Sequence, residues 1–338
     1  MFDPRHSRLS RSVHGALFVA CAVVLSAAIV RAADVVQDNL YSVSFATPQM
    51  GWASGAFGSI VHTSDGGKTW AQQDSTASES LYSIDFANER LGWAVGRAGV
   101  IVHTSNGGAN WRAQTAPSAK HLFSVDFVDE TFGIAVGDWG VILVTEDGGQ
   151  TWVDRSLSED LILNGVTAVS RTAALIAGEI GTIFRTEDAG RTWNRLATGI
   201  DKTLFGIRCV DAQRCWAVGI DALILHTADG GATWDLRHGA AEVRQLEQVG
   251  FGQAFENPSL YAVDVEGPFG VAAGELGSVF VSRDGGQEWS RLDASKNWAL
   301  PWFRDLVVFD GERGAIVGAG GRRIMINEGR IEVDAEGD

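Results

Sequence analysis

The chain has 338 residues, with 27 Lys and Arg against 42 Asp and Glu, a formal net charge of −15 and 45% apolar residues. That balance can supply a sizeable core, and it disfavours nucleic acid or an anionic lipid surface as a partner. Three cysteines are too few for a disulfide-dense mini-domain, and the seven histidines form no metal-binding motif with them, so neither a metal nor another cofactor is expected.

The N-terminus carries Arg5, Arg8 and Arg11, then the apolar stretch Ala16 to Val30, then Val30-Arg31-Ala32. This reads as a secretory signal peptide over residues 1–32 with a small-residue cleavage site. The apolar stretch is about 15 residues, shorter than the ~20 a spanning helix needs. An uncleaved anchor, or lipid attachment at Cys21 within Phe18-Val19-Ala20-Cys21, are the alternatives. Cleavage after Ala32 removes four arginines and one aspartate, leaving (27 − 4) − (42 − 1) = −18. The expected location is the periplasm.

From Leu40 onward one unit recurs. A tryptophan closes six copies, at Trp70, Trp111, Trp152, Trp193, Trp234 and Trp289, with gaps by subtraction of 41, 41, 41, 41 and 55. A glycine ends an apolar run at Gly55, Gly96, Gly137, Gly178, Gly219, Gly274 and Gly318, with gaps of 41, 41, 41, 41, 55 and 44. Two independent markers keep one ruler. Within the second copy, Leu81 to Phe86 alternates apolar and polar residues, Gly92 to Gly96 is apolar, and Ile101 to Thr104 follows a tight turn at Arg97-Ala98-Gly99. A short outer strand opens at Trp111. Four short strands joined by turns, repeated seven times, predict an all-β, seven-bladed β-propeller filling residues 33–338 as one domain. The blades fall at roughly 40–75, 81–116, 122–157, 163–198, 204–237, 260–293 and 302–334. The ring is expected to close by pairing of residues 33–39 near 330–334.

The third turn of each unit is the most specific element. It reads Thr63-x-Asp65-x-Gly67-x-x-Trp70 and recurs around Asn106, Asp147, Asp188, Asp229 and Asp284. This matches the Asp-box, or bacterial neuraminidase repeat. A short acidic or amide side chain bonds nearby backbone N–H groups, and glycine supplies the positive φ. Boxes spaced around a ring cannot converge on one substrate, so Asp65, Asn106, Asp147, Asp188, Asp229 and Asp284 are assigned structural roles. In the seventh copy the box shrinks to Ile326-Asn327-Glu328-Gly329. Cys209 and Cys215 flank the first hairpin of blade five, where other copies have Phe and Gly, and are a candidate disulfide.

The complete unit, Leu-Tyr-Ser-Ile-Asp-Phe then Gly-Trp-Ala-Val-Gly-x-x-Gly-x-Ile-x-x-Thr-x-Asp/Asn-Gly-Gly-x-x-Trp, resembles the photosystem II stability/assembly factor family over roughly residues 34–335. That resemblance implies a non-catalytic, exported scaffold that binds a protein partner, in phototrophs a membrane-protein assembly intermediate. A monomer is expected.

A propeller usually binds at one end of its ring, so the turns after the marker glycines form the candidate surface, opposite the boxes. They place Asp138, Glu179, Asp221 and Glu275 in an acidic arc, with Arg97 on one side and Arg322 and Arg323 near the closure. Trp139 is an aromatic that no repeat demands. The connection before blade seven adds Trp298 and Trp302. The 14 extra residues between Trp234 and Gly274, most of them in Arg237 to Pro258, break the ruler, and long loops on rigid scaffolds carry function. The alternative class is a glycan-binding protein or sialidase-like hydrolase. It would need an arginine cluster and a tyrosine–glutamate nucleophile. Tyr41, Tyr82 and Tyr261 share one strand position, which assigns them to the fold, and His62, His103 and His226 share another. No catalytic residue is expected.

Overall fold

In the first repeat, β1 (Leu40–Phe45), β2 (Gly51–Gly55), β3 (Ile60–Thr63) and β4 (Ala71–Gln73) form an antiparallel meander, each strand paired with the next. The computed structural model describes residues 37–239, 257–292, 301–309, 311–327 and 330–332. The same meander recurs six more times, so that seven four-stranded sheets each use consecutive strands. The molecule is a seven-bladed β-propeller, and the first strand of each blade lines its axis. Blade seven keeps its own outer strand, Arg330–Glu332, paired with Arg323–Asn327. Of the residues expected to close the ring, 33–36 and 333–334 lie outside the described residues. Gln37 to Asn39 form no strand; the Asn39 side chain instead accepts the Gly320 N–H at 2.9 Å.

The glycine ruler has a steric cause. A Cβ on Gly55 would collide with the carbonyl oxygen of Asn39, and on Gly96, Gly137, Gly178, Gly219, Gly274 and Gly318 with the carbonyl at the same place in its own blade. The next residue donates its N–H to that carbonyl: Ala56 to Asn39, Arg97 to Ser80 and Glu275 to Ser259, each at 2.9 Å. The chain entering a blade and the turn leaving its second strand are thereby pinned together.

The core consists of apolar clusters, each bridging two adjacent blades. Trp52 of blade one stacks on Phe86 of blade two at 3.6 Å between ring centres and donates its indole N–H to the Gly107 carbonyl at 3.1 Å. Trp93 and Phe127 repeat that arrangement between blades two and three. Phe86 lies over Gly92, where a Cβ would strike its ring. In blade five this Phe–Gly pair becomes Cys209 and Cys215, which face each other across the hairpin and form a disulfide.

Each innermost strand is a sheet edge with N–H groups aimed at the preceding blade, and side chains of that neighbour accept them. Ser42, Ser83 and Ser124 hydroxyls accept from Ile84, Val125 and Val166 at 3.2 Å. Two residues further along, Ser44 accepts from Phe86, Asp85 from Phe127, Asp126 from Ala168, Thr167 from Cys209 and Asp264 from Val308. At the seam between the last and first blades, Asp305 accepts the Val43 N–H at 3.0 Å and the Ser42 hydroxyl at 2.7 Å. A buried amide without an acceptor costs about 1–3 kcal/mol. Asp305→Ala is therefore expected to destabilise the chain by that amount, and Asp305→Asn, which keeps an acceptor, by clearly less. Denaturant midpoints measure both; an unchanged midpoint for Asp305→Ala would contradict the seam.

Candidate functional site at the channel mouth

Register decides which side chains reach the axis. In β1, Leu40 pairs with Gly55 but Ser42 pairs with Ser54, so Tyr41 is an extra residue facing no partner. The same β-bulge occurs in every blade, leaving Tyr82, Phe123, Asn164, Phe205, Tyr261 and Arg304 at the equivalent position. A bulge kinks its strand and re-aims the extra side chain. Here it places those seven side chains around an axial cavity of about 350 Å³. They stand at the end of the inner strands next to the turns after the marker glycines, so they form the mouth of the channel on that face.

The mouth is an interrupted aromatic girdle. Tyr41 meets Tyr82 and Tyr82 meets Phe123, each edge or tilted at 5.7 Å, and Phe205 meets Tyr261 at 5.2 Å. Trp302 stacks parallel to Tyr41 at 5.9 Å. The Arg304 guanidinium lies 4.6 Å from the centre of the Tyr261 ring. Tyr261 donates its hydroxyl to Glu275 at 2.8 Å. Burial, followed by that bond to a carboxylate, pushes the phenol up to about 12.

Deeper in the channel, at the third position beyond the bulge, sit Asp85, Asp126, Arg208 and Asp264. Arg208 bonds Asp264 through Nε at 3.1 Å. The charge of Asp264 holds this guanidinium in its cationic form. Burial raises Asp126, and burial together with repulsion from Asp126 pushes Asp85 up to about 7. Each of these carboxylates also accepts an amide from the next blade, so all three are built into the ring.

The turns behave differently from a free acidic arc. Asp221 is ion-paired at 2.8 Å to Lys202, whose side chain is only 2% exposed. Glu275 takes the Tyr261 hydroxyl and the Ser259 N–H, and Glu179 accepts the Ile162 N–H at 3.1 Å. Arg97 faces Glu79 at 3.6 Å. Of the four arc residues only Asp138 keeps a buried carboxylate oxygen without a hydrogen bond. The arc is thus largely consumed by its own scaffold. Trp139 is 57% exposed at the turn tip, and Phe57 and Ile180 occupy the same position in blades one and four at 76% and 58%. All three have φ between 53° and 54°, the left-handed conformation that this turn imposes at the same position in every blade, where Ala98, Asp221, Leu276 and Gly320 also adopt it. Arg322 is half-buried at its turn. Arg323 does not join this surface as expected: its guanidinium reaches over the Trp70 ring, 5.9 Å from the centre, because β-pairing with Val317 sets it on the outer side of the blade seam. Trp298 and residues 240–256 of the long insertion lie outside the described residues.

The box turns stand at the opposite end. Thr63 donates to Asp65 at 2.8 Å and accepts from Gly67, while Asp65 accepts the N–H and hydroxyl of Thr69. Asn106, Asp147, Asp188, Asp229 and Asp284 make the corresponding bonds. Hydroxyl and backbone donors of Thr192 and Thr233 hold Asp188 and Asp229 down at about 2. Among the described residues, no group of His, Cys, Asp and Glu is arranged to hold a metal ion. The sequence reading passed over the mouth residues because a shared strand position looked purely structural. The signal was the doubled apolar start of five inner strands, such as Leu40-Tyr41, Leu81-Tyr82 and Leu122-Phe123, which breaks strict alternation where the bulge falls.

A family model described as photosynthesis system II assembly factor YCF48 matches residues 28–115, 109–201 and 193–302. A solved structure titled "YCF48 bound to D1 peptide" is 18% identical with a TM-score of 0.68, covering 86% of this chain and 94% of that one. YCF48 from Cyanidioschyzon merolae is 19% identical with a TM-score of 0.67, covering 87% and 97%. A GH74 xyloglucanase from Xanthomonas campestris is 13% identical with a TM-score of 0.66, covering 87% of this chain and 53% of the enzyme. At these identities the structural likenesses show the fold. A search of the curated proteins finds no match.

The channel carboxylates make a pH prediction. Asp85 titrates near 7 in the folded state against about 4 unfolded, so the folded chain binds the extra proton. Its contribution to stability is full below about pH 4 and is lost as pH rises through 7. Between pH 5 and 8, wild type should lose on the order of 1–3 kcal/mol relative to Asp85→Asn. Chemical denaturation at both pH values measures the difference; parallel pH profiles would contradict the burial of Asp85.

Proposed function

This chain belongs to the photosynthesis system II assembly factor YCF48 family, and we propose that it is an exported, monomeric, non-catalytic scaffold whose channel mouth holds a segment of a protein partner. A membrane-protein assembly intermediate is the partner class this reading favours. One observation carries it: the bulge recurs in every blade, and in five of them, at Tyr41, Tyr82, Phe123, Phe205 and Tyr261, it points an aromatic ring into a common mouth. A propeller does not need rings there to fold, since Asn164 and Arg304 fill the same place in blades four and seven. Aromatic side chains give large contact area at low entropic cost and dominate binding energetics. The exposed Trp139, Phe57 and Ile180 tips extend the apolar surface around that face. The family member solved with a D1 peptide supports a peptide-like ligand. Export is supported by the leader-like residues 1–32, and the Cys209–Cys215 disulfide fits an oxidising compartment.

The arrangement that most resembles a hydrolase is the Tyr261–Glu275 pair. Its phenol is shifted upward, away from the easily ionised state that a nucleophile at neutral pH requires. The channel carboxylates Asp85, Asp126 and Asp264 each accept a backbone amide of the next blade, a structural task. Both observations favour the scaffold over the glycosidase.

Affinity capture from solubilised membranes with tagged protein tests the reading. A membrane-protein partner should co-purify with wild type and fall at least tenfold with Tyr82→Ala plus Phe123→Ala, while Asp147→Asn at the box end leaves it unchanged. Equal capture by all three, or turnover of sialosides or xyloglucan by wild type, would contradict it.

A further inference from the structure

The crossover from blade three to blade four, residues 155–162, is clasped between two turns of the mouth face. Leu157 donates its N–H to the Gly140 carbonyl at 2.9 Å, and Gly140 donates to the Leu161 carbonyl at 2.7 Å, so the chain lies against the turn that carries Trp139. At the far end Ile162 and Glu179 exchange bonds of 3.1 Å, the Glu179 N–H to the Ile162 carbonyl and the Ile162 N–H to the Glu179 carboxylate. The next crossover repeats the contact, with Gly181 donating to the Lys202 carbonyl at 2.8 Å. A Cβ on Gly140 or Gly181 would strike the carbonyl of Glu159 or Ile200. With backbone packed on backbone, large side chains here stand in solvent: Ile162 is 41% exposed, between the turns of Trp139 and Ile180. Three of the seven exposed large apolar side chains among the described residues therefore fall on two adjacent turns and the crossover joining them. Their polar surroundings are acidic. Asp138, Glu159, Asp160, Glu179 and Asp201 outnumber Lys120, Arg155 and Arg195. Arg195 is engaged by Glu159 at 3.6 Å, and the Lys120 ammonium donates to the Trp139 carbonyl at 2.9 Å. Asp160 and Asp201 are exposed and, among the described residues, take part in no ion pair.

Clustered large apolar side chains in solvent mark an interaction site, since burying them against a partner is favourable. Carboxylates around such a cluster steer cationic partners toward it and turn anionic ones away. An anionic bilayer is repelled by those charges, and a second copy of this chain would set one acidic rim against another. We propose that Trp139, Ile162 and Ile180, rimmed by Asp160, Glu179 and Asp201, form a docking surface for a segment of a protein partner that interleaves apolar side chains with Lys or Arg. Trp139 is the anchor, because aromatic rings dominate interface energetics. The rim carboxylates select the charge of what settles on it. This surface is separate from the aromatic girdle and does not depend on the mouth holding a ligand.

Calorimetric titration at low salt uses three probes: N-acetyl-Lys-Leu-Lys-Leu-Leu-Lys-Leu amide, the same peptide with Ser in place of each Lys, and the same with Glu. The Lys peptide should bind wild type at least tenfold more tightly than the Ser peptide, and the Glu peptide more weakly than either. Trp139→Asn plus Ile180→Asn, which suit the left-handed turn, should weaken the Lys peptide at least tenfold. Asp160→Asn plus Asp201→Asn should narrow the difference between Lys and Ser peptides to less than threefold. All four positions are exposed, so both variants should melt with wild type. Val210→Ser, an exposed apolar residue on another blade, should leave binding unchanged. Equal binding of the Lys and Ser peptides would overturn the proposal. A preference that survives both double substitutions would do the same, because net charge alone would then attract the peptide. Loss of binding with Tyr82→Ala plus Phe123→Ala, but not with the rim variants, would place the peptide in the mouth, overturning this surface while sparing the mouth reading. Phosphatidylcholine vesicles that bind wild type but not the Trp139/Ile180 variant would assign the surface to lipid. Self-association lost in that variant would assign it to a second copy. Either result, without a preference for the Lys peptide, would also overturn the proposal.

Discussion

The inner strand of a propeller blade is an edge that cannot be left open. Its amides face the preceding blade, and this chain bridges that gap with side chains instead of strands. Ser42, Ser83 and Ser124 do so at one level, and Ser44, Asp85, Asp126, Thr167 and Asp264 at another. The requirement for short acceptors explains why the channel is polar in a protein whose remaining core is tryptophan, phenylalanine and branched aliphatics. It also explains the raised carboxyls: an aspartate chosen as an amide acceptor is necessarily buried, and two in adjacent blades repel each other. Arg208 offsets part of that charge through Asp264.

The same strands carry the channel mouth. Because one residue is added to every inner strand, five aromatic rings, one amide and one guanidinium leave the blade interfaces and meet at the mouth, without any loop needing to be long. The box turns at the far end do the opposite. Their hydroxyl, carboxylate and amide groups are satisfied within a few residues, which makes them local, repeatable and chemically inert.

Much of this was legible in the residues. The glycine ruler follows from a carbonyl that admits no Cβ, the boxes from local hydrogen bonding, and the Cys209–Cys215 pair from its place opposite other copies' Phe and Gly. The mouth was not, because a bulge shifts register by one residue and moves a side chain to a different face without changing residue type. Tyr41, Tyr82 and Tyr261 therefore looked like routine strand aromatics. The partners of the acidic arc were hidden for another reason. Whether Asp221 or Glu275 is free depends on Lys202 and Tyr261, partners 19 and 14 residues away that reach them only in the fold.

Backbone amide hydrogen exchange on the intact protein tests the cross-blade closure most directly. The account predicts that Phe127, Ala168, Val308 and Val43, all on edge strands, exchange only on global unfolding, as slowly as the amides of central strands such as Ala94 and Ile134. Exchange of those four amides at rates typical of a solvent-exposed edge would contradict it.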